Sequence, residues 1–314
     1  MDNAVLSRRF KQIRAARPVI ILGTTRIWVQ ILLANQFYYS VVSLNLKIGC
    51  SGWSYVDWVG PFYPKESKQQ EFLRLYSQVF DCVEIDSTFY RAPSMAMVQQ
   101  WDKSTPQGFI FSPKLPKRIT HDKHLEGIAS YLEHFTRTLG QLGGKLGPFV
   151  VQLPPSFKRP KHEKALSSFL SELSGEHRYA IEFRHKSWFD TDVEKQLETR
   201  NICQVWSVNQ YLTTPASVTS DFVYMRFVGD RAINQFNRIQ KDQADTMKSW
   251  SNTLKEVGDS VKERFVFFNN HFAGFGPASV NEFRRLMGLV EMDWAGLQKG
   301  RLPQRTLFDF SKSK

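Results

Sequence analysis

Short runs of β-forming residues alternate with helix-period stretches along the body of the chain. Eight runs are predicted to be strands: LKIGC (46–50), CVEID (82–86), FIFSPK (109–114), PFVVQL (148–153), RYAIEF (178–183), ICQVWSV (202–208), FVYMRF (222–227) and RFVFFN (264–269). Between most of them, apolar residues recur at three- and four-residue spacing, which is typical of amphipathic helices. Such alternation predicts parallel strands joined by right-handed crossovers.

Five apolar stripes carry the helix prediction. They are Phe72, Leu75, Tyr76 and Val79; Ile128, Tyr131, Leu132, Phe135 and Leu139; Leu166, Phe169, Leu170 and Leu173; Met247, Trp250 and Leu254; and Val280, Phe283, Met287 and Val290. Eight strand–helix units in about 250 residues predict an α/β fold of the TIM (β/α)8-barrel type. The segment 209–221, between strands six and seven, is too broken for a helix. A doubly wound open sheet is the alternative, but no GxGxxG follows the first strand.

The chain divides into three predicted parts: a leader (1–45), the barrel (46–296) and a basic tail (297–314). The leader has a basic start and then an apolar stretch, which is the order of a signal or membrane anchor. Arg26, Gln30 and Asn35 interrupt that stretch. Because a charge in mid-bilayer is costly, a membrane span is not expected.

Net charge and cysteine content narrow the class of protein. The 314 residues carry +12, of which +5 falls in residues 1–46 and +4 in residues 299–314. The body therefore carries only +3, which argues against broad, non-specific nucleic-acid binding. Cys50, Cys82 and Cys203 lie far apart without a CxxC motif, so we predict neither a disulfide framework nor a zinc site, and a cytoplasmic location.

Polar and charged residues close every predicted strand. They include Trp53, Glu84, Asp86, Lys114, Gln152, Glu182, Arg184, His185, Arg226, Asn269 and His271. In the alternating run CVEID, Glu84 and Asp86 share one face of a strand. Because TIM barrels gather their chemistry at the carboxyl ends of the strands, we expect these side chains to converge on one pocket.

Several strand-end motifs resemble those of the YecE-like family of unknown function. They are IGCSGWSYVDWVGPFYP, VEIDSTFYRAPS, FSPKLPKRITH, VVQLPPSF, IEFRHKSW, DFVYMRFVG and FVFFNNHFAG. The match extends over about residues 46–292. The resemblance implies a TIM barrel and a pocket at the strand ends, but it names no reaction.

Glu84, Glu182 and His121 are the candidate catalytic residues. The two glutamates can act as an acid/base pair or as metal ligands, since acids inside a walled pocket have perturbed protonation. The alternative is that they form buried ion pairs with the neighbouring cations. His121 would carry a proton. A divalent metal held by the acids and histidines is an alternative, although no HxH or HExxH spacing supports it.

A second set of residues is predicted to bind substrate. Lys114, Arg184 and Arg226 form a candidate anion clamp for phosphate or carboxylate, unless they only neutralise the glutamates. The remaining candidates are Trp53, Asp86, Tyr90, Gln152, His185 and Asn269. Tyr90 can stack on a base or a sugar ring. Asp86 can instead cap the turn that follows it.

The tail QRTLFDFSKSK contains a candidate partner motif. Gln304, Leu307 and Phe310 have the spacing of the short motif by which DNA-processing proteins dock onto a replication sliding clamp. Ser311 stands where a second aromatic residue is usual. The alternative is that Leu307 and Phe308 seal the bottom of the barrel.

Two classes of function follow from these residues. The first is an enzyme that acts on a phosphate-bearing substrate, with nucleic-acid phosphodiester hydrolysis as the specific form. The second is a non-catalytic nucleic-acid-binding or sliding-clamp adaptor protein. An enzyme of small sugar phosphates is a further alternative.

Overall fold

The computed structural model describes residues 45–209 and 212–299. Within them lie two parallel sheets. The larger sheet contains β1 (Leu46–Ser51), β2 (Cys82–Ile85), β3 (Ile110–Pro113), β7 (Trp206–Asn209), β8 (Phe222–Gly229) and β9 (Glu263–Phe268), in the order β3-β2-β1-β9-β8-β7. The smaller contains β4 (Phe149–Gln152), β5 (Tyr179–Glu182) and β6 (Cys203–Gln204) in sequential order. The mixed α/β fold with parallel strands is therefore confirmed.

The two sheets meet at two places. At the first, two isolated parallel bridges join Phe111 on β3 to Leu146, just before β4, and Lys114, just after β3, to Val150 on β4. At the other place, β6 and β7 are separated only by Val205, whose amide still donates to Ile181 on β5. The predicted sixth strand, 202–208, is therefore two short strands. It splits because β6 pairs with β5 whereas β7 pairs with β8 in the other sheet.

Helices connect most of the strands. In chain order, the described residues contain α1 (Phe72–Val79), α2 (Met95–Ser104), α3 (Ala129–Gly140), α4 (Arg159–Glu172), α5 (Thr191–Glu198), α6 (Ala244–Glu256), α7 (Asn270–Ala273), α8 (Gly276–Leu286) and α9 (Ala295–Gln298). Residues 212–220 contain no helix, as the sequence predicted. The stripe predicted to run to Val290 was wrong at its end, because α8 stops at Leu286 and Val290 is 80% exposed. Gly288, at φ +74°, turns the chain away there.

The apolar core consists of two clusters of buried side chains, as expected for sheets that are buried on both faces. A large cluster packs the helices against the outer strand positions, and includes Trp58, Tyr76 and Phe283. A smaller cluster consists of alternate strand residues, among them Val150, Ala180 and Phe267. The three cysteines are buried free thiols. Across residues 45–209 and 212–299, no helix combines the length and apolar character needed to cross a bilayer.

Candidate functional site

A buried ion-pair cluster, formed by Arg226, Glu84 and Glu182, joins three strands from the two sheets. Arg226 on β8 is 3% exposed, while Glu84 on β2 and Glu182 on β5 are fully buried. Nε and Nη2 of Arg226 donate to Oε2 and Oε1 of Glu84 at 2.8 and 2.7 Å. Nη1 donates to Oε2 of Glu182. The guanidinium is therefore shared between two carboxylates, which is the arrangement that a buried charge needs.

Neutral hydroxyls and a second arginine complete the hydrogen bonding of the cluster. Ser51 Oγ and the Tyr224 hydroxyl each donate to Glu84 at 2.8 Å. Ser207 Oγ and Arg184 Nε donate to Oε1 of Glu182 at 3.0 and 2.9 Å. Each carboxylate oxygen of the two glutamates therefore accepts at least one hydrogen bond from the protein. Polar groups satisfied in this way hold a fixed geometry.

The electrostatics keep Glu182 ionised. Burial alone would raise the pKa of its carboxyl, but the charges of Arg184 and Arg226 lower the pKa to about 2. A general acid needs a pKa near the working pH, which this carboxyl does not have. Within the described part of the chain, both glutamates hold Arg226 and neither lines the cavity beside them. The geometry thus favours the scaffold alternative over the acid/base role for both glutamates.

A cavity of about 930 Å³ lies beside the cluster at the carboxyl ends of the strands. Eight of the predicted site residues line it: Asp86, Tyr90, Lys114, His121, Gln152, Arg184, Arg226 and Asn269. Seven of them end or follow β2, β3, β4, β5 and β9, and Arg226 lies within β8. The convergence expected from the strand-end pattern is therefore present for these eight side chains.

Asp86 lies between side chains from three other strands. Its Oδ1 is 3.7 Å from Lys114 Nζ and 3.4 Å from Arg226 Nη2. Its Oδ2 accepts from Asn269 Nδ2 at 3.4 Å. These contacts favour a place in the site over the alternative of a local turn cap.

Lys114 and His121 share an aromatic neighbour. Nζ of Lys114 lies 4.2 Å from the centre of the Phe89 ring, and the His121 ring meets the same ring edge-on at 4.9 Å. Burial lowers the pKa of Lys114, and the nearby Arg226 lowers it further against the opposing effect of Asp86. Such a contact with an aromatic face stabilises a cation moderately.

His121 is neutral at physiological pH. It lies in a π-helical turn, Arg118–Asp122, with Nδ1 2.8 Å from Thr120 Oγ1. Burial together with the charges of Lys114 and Arg184 lowers the pKa of its imidazole to about 4. A neutral imidazole can accept a proton from a bound substrate, so the predicted proton-carrying role stays compatible with the geometry.

Two predicted substrate-binding residues do not line the cavity. The Trp53 ring packs edge-on against Trp101 at 5.7 Å and Phe111 at 6.5 Å. Nδ1 of His185 lies 2.8 Å from Ser187 Oγ and accepts the Ser187 amide at 3.2 Å, which caps the short helix Lys186–Trp188. Their side chains are used for local packing and capping instead, so the structure does not support substrate contact by either.

Three charged cavity residues were missed by the sequence analysis. Lys117 follows β3, and Asp230 and Arg231 follow β8. They lie further into the loops than the strand ends, where charged residues usually meet only solvent. His271, which the sequence favours less than His121, also lines the cavity and donates Nδ1–H to the Ile233 carbonyl at 2.9 Å. Extending the strand-end rule by three or four residues into each loop would have found the first three.

The remaining predictions concern metal and partner sites. Among the described residues, no group of three or more His, Cys, Asp and Glu side chains is placed to hold a metal ion. Gln304, Leu307 and Phe310 lie outside the described residues, as does the leader up to residue 44. The sliding-clamp motif and the leader therefore stay predictions.

Comparison with known proteins gives one family. The family model described as "Protein of unknown function DUF72" matches residues 47–305. A UPF0759 protein YecE of Escherichia coli O157:H7 is 32% identical over 167 residues, which are 53% of this chain and 58% of that protein. A UPF0759 protein YunF of Bacillus subtilis is 24% identical over 284 residues, which are 82% and 99% of the two chains. The match to YecE thus spans little more than half of that relative's length.

Solved structures of DUF72 family proteins are also similar to this chain. A DUF72 family protein of Thermotoga maritima superposes with a TM-score of 0.65 at 29% identity, covering 77% of this chain and 99% of that one. A DUF72 family protein of Enterococcus faecalis superposes with a TM-score of 0.61 at 20% identity, covering 78% and 96%. The second likeness concerns the fold alone.

Proposed function

The chain belongs to the DUF72 family of unknown function, the YecE-like proteins, and on that premise we propose that it is an enzyme of a small phosphate-bearing substrate. One observation carries the proposal. Five cationic side chains line the cavity, namely Lys114, Lys117, Arg184, Arg226 and Arg231, against two carboxylates, Asp86 and Asp230. A volume of about 930 Å³ lies in the range of small-ligand pockets. That size favours a sugar phosphate or a similar metabolite over a nucleic-acid duplex.

We propose further that the two sheets close into a TIM-type barrel. The two bridges, Phe111 to Leu146 and Lys114 to Val150, would close one seam, and the chain passing through Val205 from β6 to β7 would close the other. Arg226 supports this closure, because it bonds to Glu84 on one sheet and Glu182 on the other. Closure would place the cavity at the barrel mouth, where TIM-barrel enzymes bind their substrates.

The cationic residues have two proposed roles: some bind the anion, and Arg226 stabilises the structure of the cavity. Arg226 already donates to both glutamates, so its role is to fix the floor of the cavity. Arg184 uses Nε for Glu182, which leaves its two terminal amino groups to face an anion. Lys117 and Arg231 are exposed at the cavity wall and add charge from two loops. Charge-assisted bonds from such groups are the strong ones in phosphate recognition.

Calorimetric titration with inorganic phosphate tests the anion site. We expect Lys117→Gln and Arg231→Gln each to weaken binding about tenfold, since a lost charge-assisted bond is worth about 1.4 kcal/mol. Lys262→Gln is the matched control, because Lys262 is exposed and pairs with Asp221 at the other end of β8. Equal phosphate binding in all three variants would contradict the proposal, as would no binding to the unaltered chain.

Nucleic-acid phosphodiester hydrolysis is the second candidate, and one residue favours it. Tyr90 lines the cavity and is 79% exposed, edge-on to Phe89 at 5.2 Å. Exposed aromatic rings beside cations are the platforms on which single-stranded bases stack. Turnover of a single-stranded oligonucleotide, with steep salt dependence of its binding and loss of affinity in Tyr90→Ala, would select this candidate. If oligonucleotides bind without turnover, the non-catalytic adaptor applies instead.

Docking of the tail onto a sliding clamp is a separate proposal. It rests on the sequence of Gln304, Leu307 and Phe310 alone. A synthetic peptide of residues 300–314 should bind a bacterial sliding clamp in calorimetry, whereas the peptide with Leu307→Ala and Phe310→Ala should not. No binding by the first peptide would end this proposal without affecting the cavity.

A further inference from the structure

Lys114 and Lys145 are both buried, at 8% and 7% exposure, but their ammonium groups differ in surroundings. Nζ of Lys145 donates to the Asp102 carbonyl at 2.6 Å, the Thr105 carbonyl at 2.9 Å and Thr105 Oγ1 at 3.2 Å. Nζ also pairs with the Asp102 carboxylate at 2.9 Å, so all three N–H groups of that ammonium are used. A lysine held in this way is a structural cation.

Nζ of Lys114 has no comparable set of acceptors. Within residues 45–209 and 212–299 it donates no hydrogen bond, and the carboxylate within 4 Å is Asp86, at 3.7 Å. Asp86 is itself shared with Arg226 and Asn269. The face of Phe89, 4.2 Å away, is the other contact. The nitrogen therefore lines the cavity with one carboxylate and one aromatic ring to stabilise its charge, and within those residues none of its N–H groups is used in a hydrogen bond.

The backbone at Lys114 is fixed, which gives the side chain a rigid base. Its amide donates to Thr88 Oγ1 at 3.1 Å, and Thr88 Oγ1 donates back to its carbonyl at 2.7 Å. A parallel bridge ties the same residue to Val150 on β4. Side chains at the end of a strand whose backbone is fixed in this way are positioned more precisely than side chains on loops.

We infer that Lys114 is a nucleophile that forms an imine with the carbonyl group of a small phosphorylated aldehyde or ketone. The inference rests on the proposed function, and it names the substrate class of that site. A lysine amine reacts with carbonyl carbon only when it is uncharged, and burial beside other cations favours the uncharged form. The lowered pKa of Lys114 agrees with this.

Imine formation requires only the lysine amine, the substrate carbonyl and proton exchange with solvent. The Lys114 ammonium first releases one proton to solvent, which leaves an amine with two N–H bonds. The amine then attacks the carbonyl carbon, a C–N bond forms, and one N–H proton passes to the carbonyl oxygen to give a carbinolamine. The C–O bond breaks, the hydroxyl leaves as water with one proton from solvent, which replaces the proton released at the start, and a protonated C=N bond remains. Arg184, Lys117 and Arg231 would hold the phosphate meanwhile.

Borohydride trapping tests the inference on the whole chain. The probe is pyridoxal 5′-phosphate at less than one equivalent, followed by sodium borohydride, which adds hydride to the imine carbon and makes the bond permanent. Peptide mapping by mass spectrometry should find the adduct on Lys114 in preference to every other lysine, and excess inorganic phosphate should slow the labelling. Adducts spread over exposed lysines, with Lys114 unmodified, would overturn the inference.

Two variants and a second probe separate this inference from the anion site. Lys114→Arg has no reactive amine and should lose the adduct, whereas Lys262→Arg should keep it; phosphate titration of the unaltered chain tests the anion site independently. Phosphate binding with Lys114 unlabelled in the unaltered chain means that the imine fails and the anion site stands. Pyridoxal labelling Lys114 as fast as its phosphate ester, without phosphate binding, means that the imine stands and the anion site fails.

Discussion

Arg226 and Glu84 are 142 residues apart and lie on strands that are three positions apart in the larger sheet, yet they share two hydrogen bonds of 2.7 and 2.8 Å. Strands three positions apart in a flat sheet are separated by about 14 Å. The contact is therefore only compatible with a strongly curved sheet. The same arginine also donates a hydrogen bond to Glu182 on the other sheet. The contacts of Arg226 therefore show the sheet curvature that positions the cavity.

Removing Arg226 should destabilise the fold strongly. In Arg226→Gln, two buried carboxylates lose their main counter-charge, and breaking such a pair from one side typically costs about 3–5 kcal/mol. Urea unfolding followed by tryptophan fluorescence measures the change. Arg285→Gln is the control, because Arg285 forms an exposed pair with Glu291 and should shift the midpoint far less. Similar midpoints for the two variants would contradict the scaffold role of Arg226.

The stability of the fold should depend on pH through Glu182. Its pKa falls from 4.5 to about 2 on folding, mainly because the charges of Arg184 and Arg226 outweigh the effect of burial. A depressed pKa gives stability that is present above pH 4.5 and is lost as pH falls towards 2, on the order of 3 kcal/mol.

The test compares the free energy of unfolding at several pH values between 2 and 5 in the unaltered chain and in Glu182→Gln. The glutamine variant should be less stable at pH 7 but should show a shallower slope in that window. An unchanged slope would mean that Glu182 does not carry the effect.

His121 should titrate near pH 4 in the folded protein. Burial and the charges of Lys114 and Arg184 disfavour its protonated form. Nuclear magnetic resonance of the imidazole follows this directly. Lys114→Gln removes one of the repelling charges and should move the midpoint upward, towards 6.5. A midpoint near 6.5 in the unaltered chain would show that His121 lies outside the cationic cavity.

Gly229 should be intolerant of a side chain, since it places the end of β8 against α7, at His271. It has φ +74°, and an added Cβ would overlap the carbonyl of His271 and the Cα of Phe272. Gly288 has the same φ but open space where a Cβ would stand, so Gly288→Ala should cost only the backbone strain of about 1–2 kcal/mol. Gly229→Ala should cost about 1–3 kcal/mol more and weaken phosphate binding. Equal losses of stability in the two variants would contradict the close approach.

Local pattern was enough to predict the strands and eight of the cavity residues. The β-rich runs lie within a residue or two of the observed strands because each is bounded by turns and helix-period stretches. Asp86, Lys114 and Asn269 were found because the carboxyl ends of parallel strands meet at one edge. The pairing of Glu84 with Arg226 was left open, because strand order and sheet curvature depend on contacts far apart in sequence.

The direction in which loop side chains point could not be predicted from the sequence. Trp53 and His185 follow strand ends, as the cavity residues do. However, the Trp53 ring packs against Trp101, and His185 forms a hydrogen bond with Ser187, so neither side chain lines the cavity. Lys117 and Arg231 look like ordinary solvated charges in sequence, and only the course of their loops brings them to the cavity. The break at Val205 likewise follows from pairing with two different sheets.

Crystals of the whole chain grown with inorganic phosphate and Mg²⁺ test the central claim most directly. We predict a phosphate ion in the cavity in contact with Lys117, Arg184 or Lys114, while Arg226 keeps its bonds to Glu84 and Glu182. A magnesium ion bound by Glu84 and Glu182, with Arg226 displaced, would contradict the account. A cavity that stays free of phosphate at saturating concentration would contradict it equally.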